Sequence, residues 1–585
     1  MVTQVFVSTA QTDFPDGDDF NPSSGWIRGL RNIIIVSPGN ESEADTFNVE
    51  LPNIYFEYEG RTITAIRVVR LRPFGTSIAD SDYYHANLPG RAGNAIHIST
   101  AEFVIRNALM FREGDVVEGI RLAYSERYLR NLDYIGDARI IIVPVSDHEI
   151  EIIVVVQDVL PYSADFGTNL ETRANFSLTN RNIIGLGVEM QGGVFIDSQK
   201  ENLMGYMARV RTYNIGRSLV SFQADYLDRY ENKFYGFTLR RDFYLPATKY
   251  AGQLSYYDAR TPVRYLDHSG KYSNITPISI RYNQLDVWAG RAFQIGNNLN
   301  KNITLSLGTQ SLYFRDRPEK SAEFYYRFQN RTTYLASLTY SYHEFYKASL
   351  IYNYGRTEDI PYGYKFSVTG GIENNKDEMY ARPYIGANFS SGYFIPLLGY
   401  LSGSFSYGTF FNKGIDQGII DFELKGFSNL YVIENFRHRV FVNLSYTRQL
   451  FNRFEDRLII EGEHGISGFR NDSILGRQRL NLSLEQSFFA PWELYGFRFV
   501  FYTFANLSWL GGYDETIIMS NLYSSFGLGI RIRNNRLIFN TLQIQFAYFP
   551  NIPKNSNFRY IHFSSEKVMR PLDFMPKAPE VLPMY

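Results

Sequence analysis

The feature that most limits the fold is a repeated alternation of apolar and polar residues between about Leu170 and Phe563. The alternation comes in runs of roughly ten residues, which Gly, Asn, Asp and Pro turns separate, and Leu522–Arg533 and Asn540–Phe549 show it well. Successive side chains of a strand point to opposite faces, so each run predicts a strand with two different surfaces. The repetition predicts a transmembrane antiparallel β-barrel, with a large soluble β-sandwich or propeller as the alternative.

Aromatic and charged residues favour the barrel. Aromatic residues form 16% of the chain, with 45 Tyr and 46 Phe, and they cluster at run ends such as Phe243 and Tyr244. Membrane barrels carry aromatic girdles of this kind where their strands meet the lipid headgroups. The polar faces also carry charges, including Arg531 and Arg533, that a dry sandwich core would not tolerate without partners. We therefore expect a barrel with a water-filled interior.

Composition excludes several other classes of function. The 59 basic and 60 acidic residues balance, which argues against nucleic acid as a partner, and the absence of cysteine excludes disulfides and cysteine metal sites. The eight histidines show no metal spacing, and Asp267, His268 and Ser269 are adjacent in the chain, so they do not indicate a catalytic triad. We expect no enzyme activity, no cofactor and no metal.

Residues 61–158 have a different pattern. Thr62–Arg70 predicts a strand, Ser99–Glu102 is a capping box that begins a helix, and a second start signal at Asp115–Glu118 leads into another helix. A hairpin rich in Ile and Val follows, formed by Ala138–Val145 and Glu149–Gln157. The pattern predicts a small α/β domain, and we interpret residues 1–60 as a flexible N-terminal extension.

This α/β segment, followed by a barrel, resembles a known family. The stretch "FREGDVVEGIRLAYSERYLRNLDYIGDARIIIVPV" (Phe111–Val145) resembles the polypeptide-transport-associated (POTRA) domain of the outer-membrane assembly-factor superfamily typified by BamA and TamA. "NRNIIGLG" (Asn180–Gly187) resembles the turn between the second and third barrel strands of that family. The resemblance implies one POTRA domain at 61–158, a barrel at 159–565 and a C-terminal tail at 566–585. It implies sixteen strands, whereas the runs along the sequence number about twenty.

"GISGFR" (Gly465–Arg470) resembles the loop that this family inserts into the barrel lumen. Ser467 replaces the arginine of the family motif, and Asn506 replaces an aspartate of the lumenal wall. Because both charges of that pair are missing, we expect Arg470 to pair with Glu485 instead, unless Arg470 is solvated in an ordinary surface loop. The predicted loop residues are Gly465, Ile466, Gly468, Phe469 and Arg470, and their predicted lumenal neighbours are Glu485, Asn506 and Arg479.

The resemblance also implies a function. It places the barrel in a bacterial outer membrane with the POTRA domain in the periplasm, and it implies contacts with lipids, with unfolded or extended client proteins and with accessory outer-membrane or periplasmic proteins. The protein would assist client insertion, assembly or translocation through a weak seam between its first and last strands. A secretion pore for a dedicated partner and a passive channel are the alternatives. We expect the client-binding edge at Ile140, Ile141, Ile142 and Val143, and the seam in the short last strand Phe558–Phe563, at Phe558, Tyr560 and His562.

Overall fold

The structure, a computed structural model, describes most of the chain beyond residue 52. The described residues are 53–75, 78, 88–168, 172–200, 203–230, 232–263, 278–296, 298–318, 325–351, 356–377, 380–452, 454, 456–460, 465–466, 469–470, 474–494, 497–534, 536–537, 542–551, 557–558, 560–565 and 571–583.

Packing divides the chain into two units. The first unit is Met1–Arg217 with Asn535–Phe539, and the second unit is Ser218–Asn534 with Asn540–Tyr585. The domain boundaries expected from the sequence, after residues 60, 158 and 565, stay predictions.

The first unit begins with an α/β module. Its central strand is a run of Ile and Val that is buried on both faces, as expected for a strand covered from two sides. The helices are α1 (Asn53–Phe56), α2 (Leu88–Ile96), α3 (Glu102–Ala108) and α4 (Gly119–Arg130), and the strands are β1 (Thr62–Leu71), β2 (Ile135–Pro144) and β3 (Glu149–Asp158). The strand order is β1-β3-β2, with β1 parallel and β2 antiparallel to β3. Strand β2 is therefore an edge strand of the module.

The rest of the first unit is an antiparallel meander. It consists of β4 (Tyr162–Thr168), β5 (Arg173–Asn180), β6 (Val188–Asp197) and β7 (Met204–Thr212), each paired with the next. A short 3-10 turn at Ile183–Gly185 joins β5 to β6. The stretch "NRNIIGLG" is thus the turn between the second and third strands of the meander.

The second unit is one large antiparallel sheet in which almost every strand pairs with its sequence neighbour. Its strands are β8 (Ser221–Arg229), β9 (Asn232–Arg241), β10 (Tyr250–Val263), β11 (Ile278–Ile295), β12 (Asn298–Asp316), β13 (Arg331–Ala348), β14 (Glu358–Asn375), β15 (Tyr380–Ile395), β16 (Gly399–Phe411), β17 (Ile415–Phe427), β18 (Tyr431–Ile433), β19 (Phe436–Asn452), β21 (Gln478–Leu494), β22 (Phe497–Gly511), β23 (Asn521–Asn534), β24 (Leu542–Tyr548) and β26 (Ile561–Ser565). A separate two-residue pair joins β20 (Phe469–Arg470) to β25 (Asn557–Phe558).

The strand number agrees with the count made along the sequence. Strands β17 and β18 both pair with β19 and share one position, so the described part of the second unit has sixteen positions. The four strands of the first unit bring the described total to twenty. The sixteen strands implied by the family resemblance are therefore too few for this chain, because its alternating runs are nearly all strands of the sheet and not loop hairpins.

The two faces of these strands are inverted relative to a soluble protein. In β13 the polar residues Ser337, Thr339 and Ser341 are buried, whereas Tyr334 and Leu338 are more than half exposed. Other strands repeat the pattern: buried Ser177, Thr179, Thr304, Ser306, Gln543 and Gln545 alternate with exposed Phe176, Leu178, Leu305, Leu307, Leu542 and Phe546. We call the buried, largely polar face of the second unit its covered face. No helix in the described ranges is long and apolar enough to cross a membrane.

Candidate functional site

The loop "GISGFR" lies on the covered face. Ile466 and Phe469 are 1% and 4% exposed and pack in one apolar cluster with Tyr502 and Phe504 of β22. The ring of Phe469 lies 6.2 Å from the ring of Tyr523 on β23. Burial of these two apolar side chains fixes the loop to the wall. Gly465 belongs to this anchored part, while Gly468 lies outside the described residues.

Glu485 has a partner other than the one expected. Both of its carboxylate oxygens accept hydrogen bonds from Arg531 of β23, at 2.5 and 2.7 Å, and the Ser487 hydroxyl donates a third at 2.7 Å. Arg531 also donates to Gln543, and its guanidinium lies 4.0 Å from the centre of the Tyr502 ring. The backbone of Arg470 pairs with Asn557, but its side chain lies outside the described residues. An Arg470–Glu485 contact stays a prediction.

The other two predicted neighbours also face this side. Asn506 accepts a hydrogen bond from Ser483 at 2.7 Å and donates one to Ser525 at 3.2 Å. Arg479 donates to the carbonyl of Ile459 at 2.5 Å, so it holds the segment that precedes the loop. Asn506 is thus a neutral bridge between two strands.

The expected last strand is displaced. Phe558, which we placed in it, belongs to β25 and pairs with Phe469 of the loop. The last sheet strand is β26, Ile561–Ser565, in which His562 pairs with Gln545, and exposed Tyr560 precedes it. Phe558 lies outside the sheet because the chain pairs first with the loop, at Phe469, and joins the sheet only at β26. Strand β26 has five residues, so few ladder bonds hold it.

The expected client-binding edge of the module is partly capped by side chains. The amide of Ile140 donates to Glu126 at 2.8 Å, its carbonyl accepts from the Tyr55 hydroxyl at 3.1 Å, and the carbonyl of Ala138 accepts from Arg130 at 3.0 Å. Tyr55 and Arg130 also contact Glu126 directly. Burial raises the pKa of Tyr55 well above its usual value, so the phenol stays a donor.

The direction of the edge amides follows from these bonds. Alternate residues of an antiparallel edge strand point their amides outward. Because Ile140 points outward, Ile142 does too, whereas Ile141 and Val143 point towards β3. Of the four residues predicted to form the client-binding edge, Ile140 and Ile142 thus have outward amides, and their role in client binding stays a prediction. Among the described residues, the side-chain contacts to this edge end at Ile140, so its open part begins at Ile142.

A junction of polar contacts fixes the module to the meander within the first unit. The turn between β5 and β6 bonds the segment before α3: the amide of Ala101 donates to the carbonyl of Gly185 at 2.9 Å, and Asn182 donates to the Thr100 hydroxyl at 2.8 Å. Buried Asp158 accepts from the Thr100 amide and hydroxyl at 2.8 and 2.9 Å. We call these contacts the module junction.

A second turn adds to this connection. Asn214 donates to the carbonyl of Asn107 at 2.9 Å, and Tyr128 donates to the carbonyl of Tyr213 at 3.2 Å. The Tyr213 hydroxyl in turn donates to Asp133 at 2.7 Å. Two turns at one end of the meander therefore hold the module in a fixed orientation.

A buried ionic network on the covered face was not visible in the sequence. Arg382 of β15 is 0% exposed and donates to Glu373 of β14 at 2.6 Å and to Asp416 of β17 at 2.7 Å. Tyr326 donates to the second oxygen of Glu373, and the ring of Phe410 lies 4.3 Å from the guanidinium. A buried arginine with two carboxylates is stable only when its donors are satisfied, as they are here.

The network also fixes two loops. The segment around Tyr326 joins β12 to β13, and its backbone amide donates to Asp456, which follows β19, at 2.8 Å. Burial raises the pKa of Asp456 to about 6, against the opposing effect of Arg327. The only sequence signal for this cluster is charge at polar-face positions of different strands, which does not reveal the pairing.

Comparison with known proteins finds similar solved structures but no matching family model or curated sequence. No protein-family model and no curated protein matches the chain. The chain is similar to BamA from Haemophilus ducreyi lacking POTRA domains 1–3, with 13% identity, 86% of this chain and 84% of that chain covered, and a TM-score of 0.34. It is also similar to CdiB from Acinetobacter baumannii (12% identity, 86% and 73% covered, TM-score 0.37) and CdiB from Escherichia coli (11%, 86% and 75%, 0.38). Function is therefore proposed below from the residues of this chain alone.

Proposed function

We propose that this protein is an outer-membrane β-barrel that assists the insertion, assembly or translocation of client proteins. The membrane location is inferred from the strands, whose apolar faces are exposed and whose polar faces are buried. Exposed Leu, Phe and Tyr alternate with buried Ser, Thr and Gln over strands of both units. An apolar surface this extensive is unstable in water but matches the hydrocarbon of a bilayer, while the polar face suits a wet interior.

The membrane location can be tested with two neighbouring positions on opposite faces. The chain has no cysteine, so a spin label can be attached at Leu338→Cys or at Thr339→Cys without background. Leu338 is 55% exposed and Thr339 is 5% exposed. In lipid vesicles we expect the label at 338 to collide with oxygen and to avoid a water-soluble nickel complex. The label at 339, on the polar face, should show the opposite preference. Equal access of the nickel complex to the labels at 338 and 339 would refute the membrane location.

The proposed client contact is strand addition to the open end of the β2 edge. Peptide strands bind such edges through backbone hydrogen bonds, and Ile142 supplies the outward amide nearest the open end. Proline at Ile142 removes that donor without breaking a bond to β3, whereas proline at Ile141 breaks a bond within the sheet. Ile142→Pro should therefore lower photo-crosslinking of client proteins to the module while leaving its fold intact. Arg139→Ala, on the same strand, is the matched control.

The weak seam is proposed on the length of β26. A five-residue strand offers few backbone hydrogen bonds, so it is the part of the sheet that separates most easily. Cysteine pairs placed in β4 and β26 test whether these strands meet and whether they must part. If clients leave through the wall, a disulfide between the two strands should stop client assembly, and reduction should restore it. Unchanged assembly with the disulfide formed would favour transport through the interior.

A secretion pore for a dedicated partner is the second candidate. It is supported by one observation: the covered face holds an extended polypeptide, residues 571–583 of the chain itself. Depletion of the protein from its host separates the two functions. An assembly factor should reduce the amounts of many unrelated outer-membrane barrels, whereas a secretion pore should remove one or a few proteins from the medium. An unchanged proteome in both fractions would reject both candidates.

A further inference from the structure

The C-terminal tail lies along the covered face of the second unit. Phe574 is fully buried and Met575 is 7% exposed. Further along, Ala578 packs against the cluster of Phe243 and Trp288, and Leu582 packs against the cluster that contains Tyr384. The tail therefore contacts β11, β12, β15 and β16 without joining the sheet as a strand.

The path of the tail crosses several neighbouring strands. Phe574 lies at Gly392 of β15, and Pro579 lies at Gly308 of β12. Leu582 then lies at Gly408 of β16 and at Tyr384 of β15. The tail therefore runs across the strands and does not follow one of them.

From Pro576 to Pro583 the burial of the tail repeats every third residue. Lys577, Glu580 and Pro583 are exposed, while Pro576 and Pro579 are buried. A period of three is that of a polyproline II helix, which has three residues per turn and needs no backbone partners. The prolines fix the backbone in this conformation before binding and lower the entropy lost on binding.

Glycines on the strands make room for the tail. A Cβ atom added to Gly308 would lie 3.0 Å from Pro579, and one added to Gly392 would lie 2.7 Å from the ring of Phe574. At Gly408 the added atom would lie 3.0 Å from a methyl group of Leu582. We call the channel along Gly308, Gly392 and Gly408 the glycine groove. Any side chain at these positions would press into the space that the tail fills.

Polar contacts and free space complete the groove. The amide of Leu582 donates to the Tyr384 hydroxyl at 3.1 Å, and Lys365 of β14 interacts electrostatically with Asp573, Lys577 and Glu580. A cavity of about 190 Å³ lies beside Leu582. Its wall includes Gln284, Asp286, Gln310, Arg331 and Thr333. The groove therefore has apolar positions, charged positions and unfilled volume.

We propose that the glycine groove is a binding site for an extended, proline-containing polypeptide segment, and that residues 571–583 occupy it in cis. The tail then acts as an internal competitor for any segment of the same chemistry. The inference uses only contacts within the second unit and does not depend on the role in client assembly proposed above.

The effect of the tethered tail on the apparent affinity of a competing free peptide can be estimated. A short tether gives an effective concentration on the order of 1 mM. For a free peptide with a Kd of about 10 µM, competition by the tail lowers the apparent affinity of the peptide for the glycine groove by roughly 100-fold. A variant whose tail no longer fits should therefore bind the free peptide far more tightly than the wild type does.

The experiment uses the full chain in detergent micelles and a fluorescein-labelled peptide with the sequence of residues 571–583. Fluorescence anisotropy measures its affinity for the wild type, for Phe574→Asp and for Leu397→Asp. The first variant places a charge at a fully buried tail position, and the second places the same charge at an 87% exposed residue between β15 and β16, outside the tail. We expect Phe574→Asp to bind the peptide at least 10-fold more tightly than the wild type, and Leu397→Asp to bind it like the wild type.

Two controls make the result specific. A peptide of the same composition in permuted order should not bind, and neither should a labelled peptide that itself carries Phe574→Asp. In a Gly408→Cys/Leu582→Cys variant, the two Cβ atoms lie 3.3 Å apart, close to disulfide range. Oxidation should form this disulfide and exclude the peptide.

Three outcomes would overturn the proposal. One is equal peptide affinity for the wild type and for a folded Phe574→Asp variant, where folding is checked by heat-modifiable electrophoretic mobility. Another is equal binding of the permuted peptide. The third is failure of the Gly408→Cys/Leu582→Cys variant to form its disulfide, because the tail would then not lie in the groove.

Discussion

Arg531→Ala should weaken the second unit strongly, because Arg531 holds Glu485 through both carboxylate oxygens. The two side chains are only 11% and 16% exposed, and among the described residues the mutation would leave Glu485 with the Ser487 hydroxyl alone. Breaking a buried ion pair from one side costs ~3 to 5 kcal/mol. With partial exposure we expect the lower end, about 3 kcal/mol, which lowers the folding equilibrium constant roughly 150-fold.

An exposed ion pair in the same sheet provides the control. Lys233 and Asp228 are 2.9 Å apart, with side chains 50% and 34% exposed. Exposed pairs contribute at most ~1 kcal/mol, so Lys233→Ala should change the free energy of unfolding by less than that. The free energy can be measured by urea unfolding in lipid vesicles, with loss of heat-modifiable mobility as the signal.

A double-mutant cycle then assigns the partner of Glu485. Arg531→Ala and Glu485→Ala should show a coupling energy of about 1.5 to 3 kcal/mol, and the same cycle with Arg470→Ala measures the pairing expected from the sequence. The pairing described here is refuted if Arg531→Ala unfolds at the same urea concentration as the wild type. It is also refuted if the coupling of Glu485 to Arg470 exceeds its coupling to Arg531.

Three further changes should have distinct effects. Arg382→Ala leaves two buried carboxylates without their cation, so it should lower the free energy of unfolding by about 3 to 5 kcal/mol, measured by the same urea assay. Gly185→Ala should loosen the module junction, because Gly185 has a φ of +73° and an added Cβ would collide with the carbonyl of Ser99. Faster proteolysis between module and meander would reveal this loosening. Burial raises the pKa of Asp456 to about 6, above its unfolded value of ~3.9, so its contribution to stability is complete below pH ~4 and is lost as the pH rises through 6. The wild type should therefore lose about 2 to 3 kcal/mol of stability between pH 4 and pH 8, and Asp456→Asn should lose less.

Local alternation was enough to predict the strands. The run Leu522–Arg533 corresponds to β23, Asn521–Asn534, and the run Asn540–Phe549 contains β24, Leu542–Tyr548. Each prediction needed only residues within one run, because the two faces of a strand meet different environments. The number of strands followed from the number of runs for the same reason.

Pairings between distant residues could not be predicted in this way. Glu485 and Arg531 face each other across two strand pairings, so the register of three strands must be known before their side chains can be matched. The same holds for Arg382 and Asp416, which lie on β15 and β17 with β16 between them. A charged residue on the polar face of a strand must have a partner, but the sequence does not show which residue that partner is.

The end of the chain was the hardest part to interpret. Phe558 has the pattern of a strand residue, but pairing with Phe469 depends on a loop almost ninety residues earlier in the chain. The tail contains four prolines and no alternation, which indicates only that it is not a sheet strand. Its position depends on glycines in three other strands, and each of them alone resembles an ordinary turn or bulge signal.

The module junction has a mechanical consequence. The turn between β5 and β6 is bonded directly to the segment before α3, so the module cannot swing freely on a linker. A pull applied to the β2 edge is carried through Asp158 and Thr100 to the carbonyl of Gly185, and from there along β5 and β6. A molecule bound to the β2 edge would therefore act on the turn between β5 and β6 as well as on the module itself.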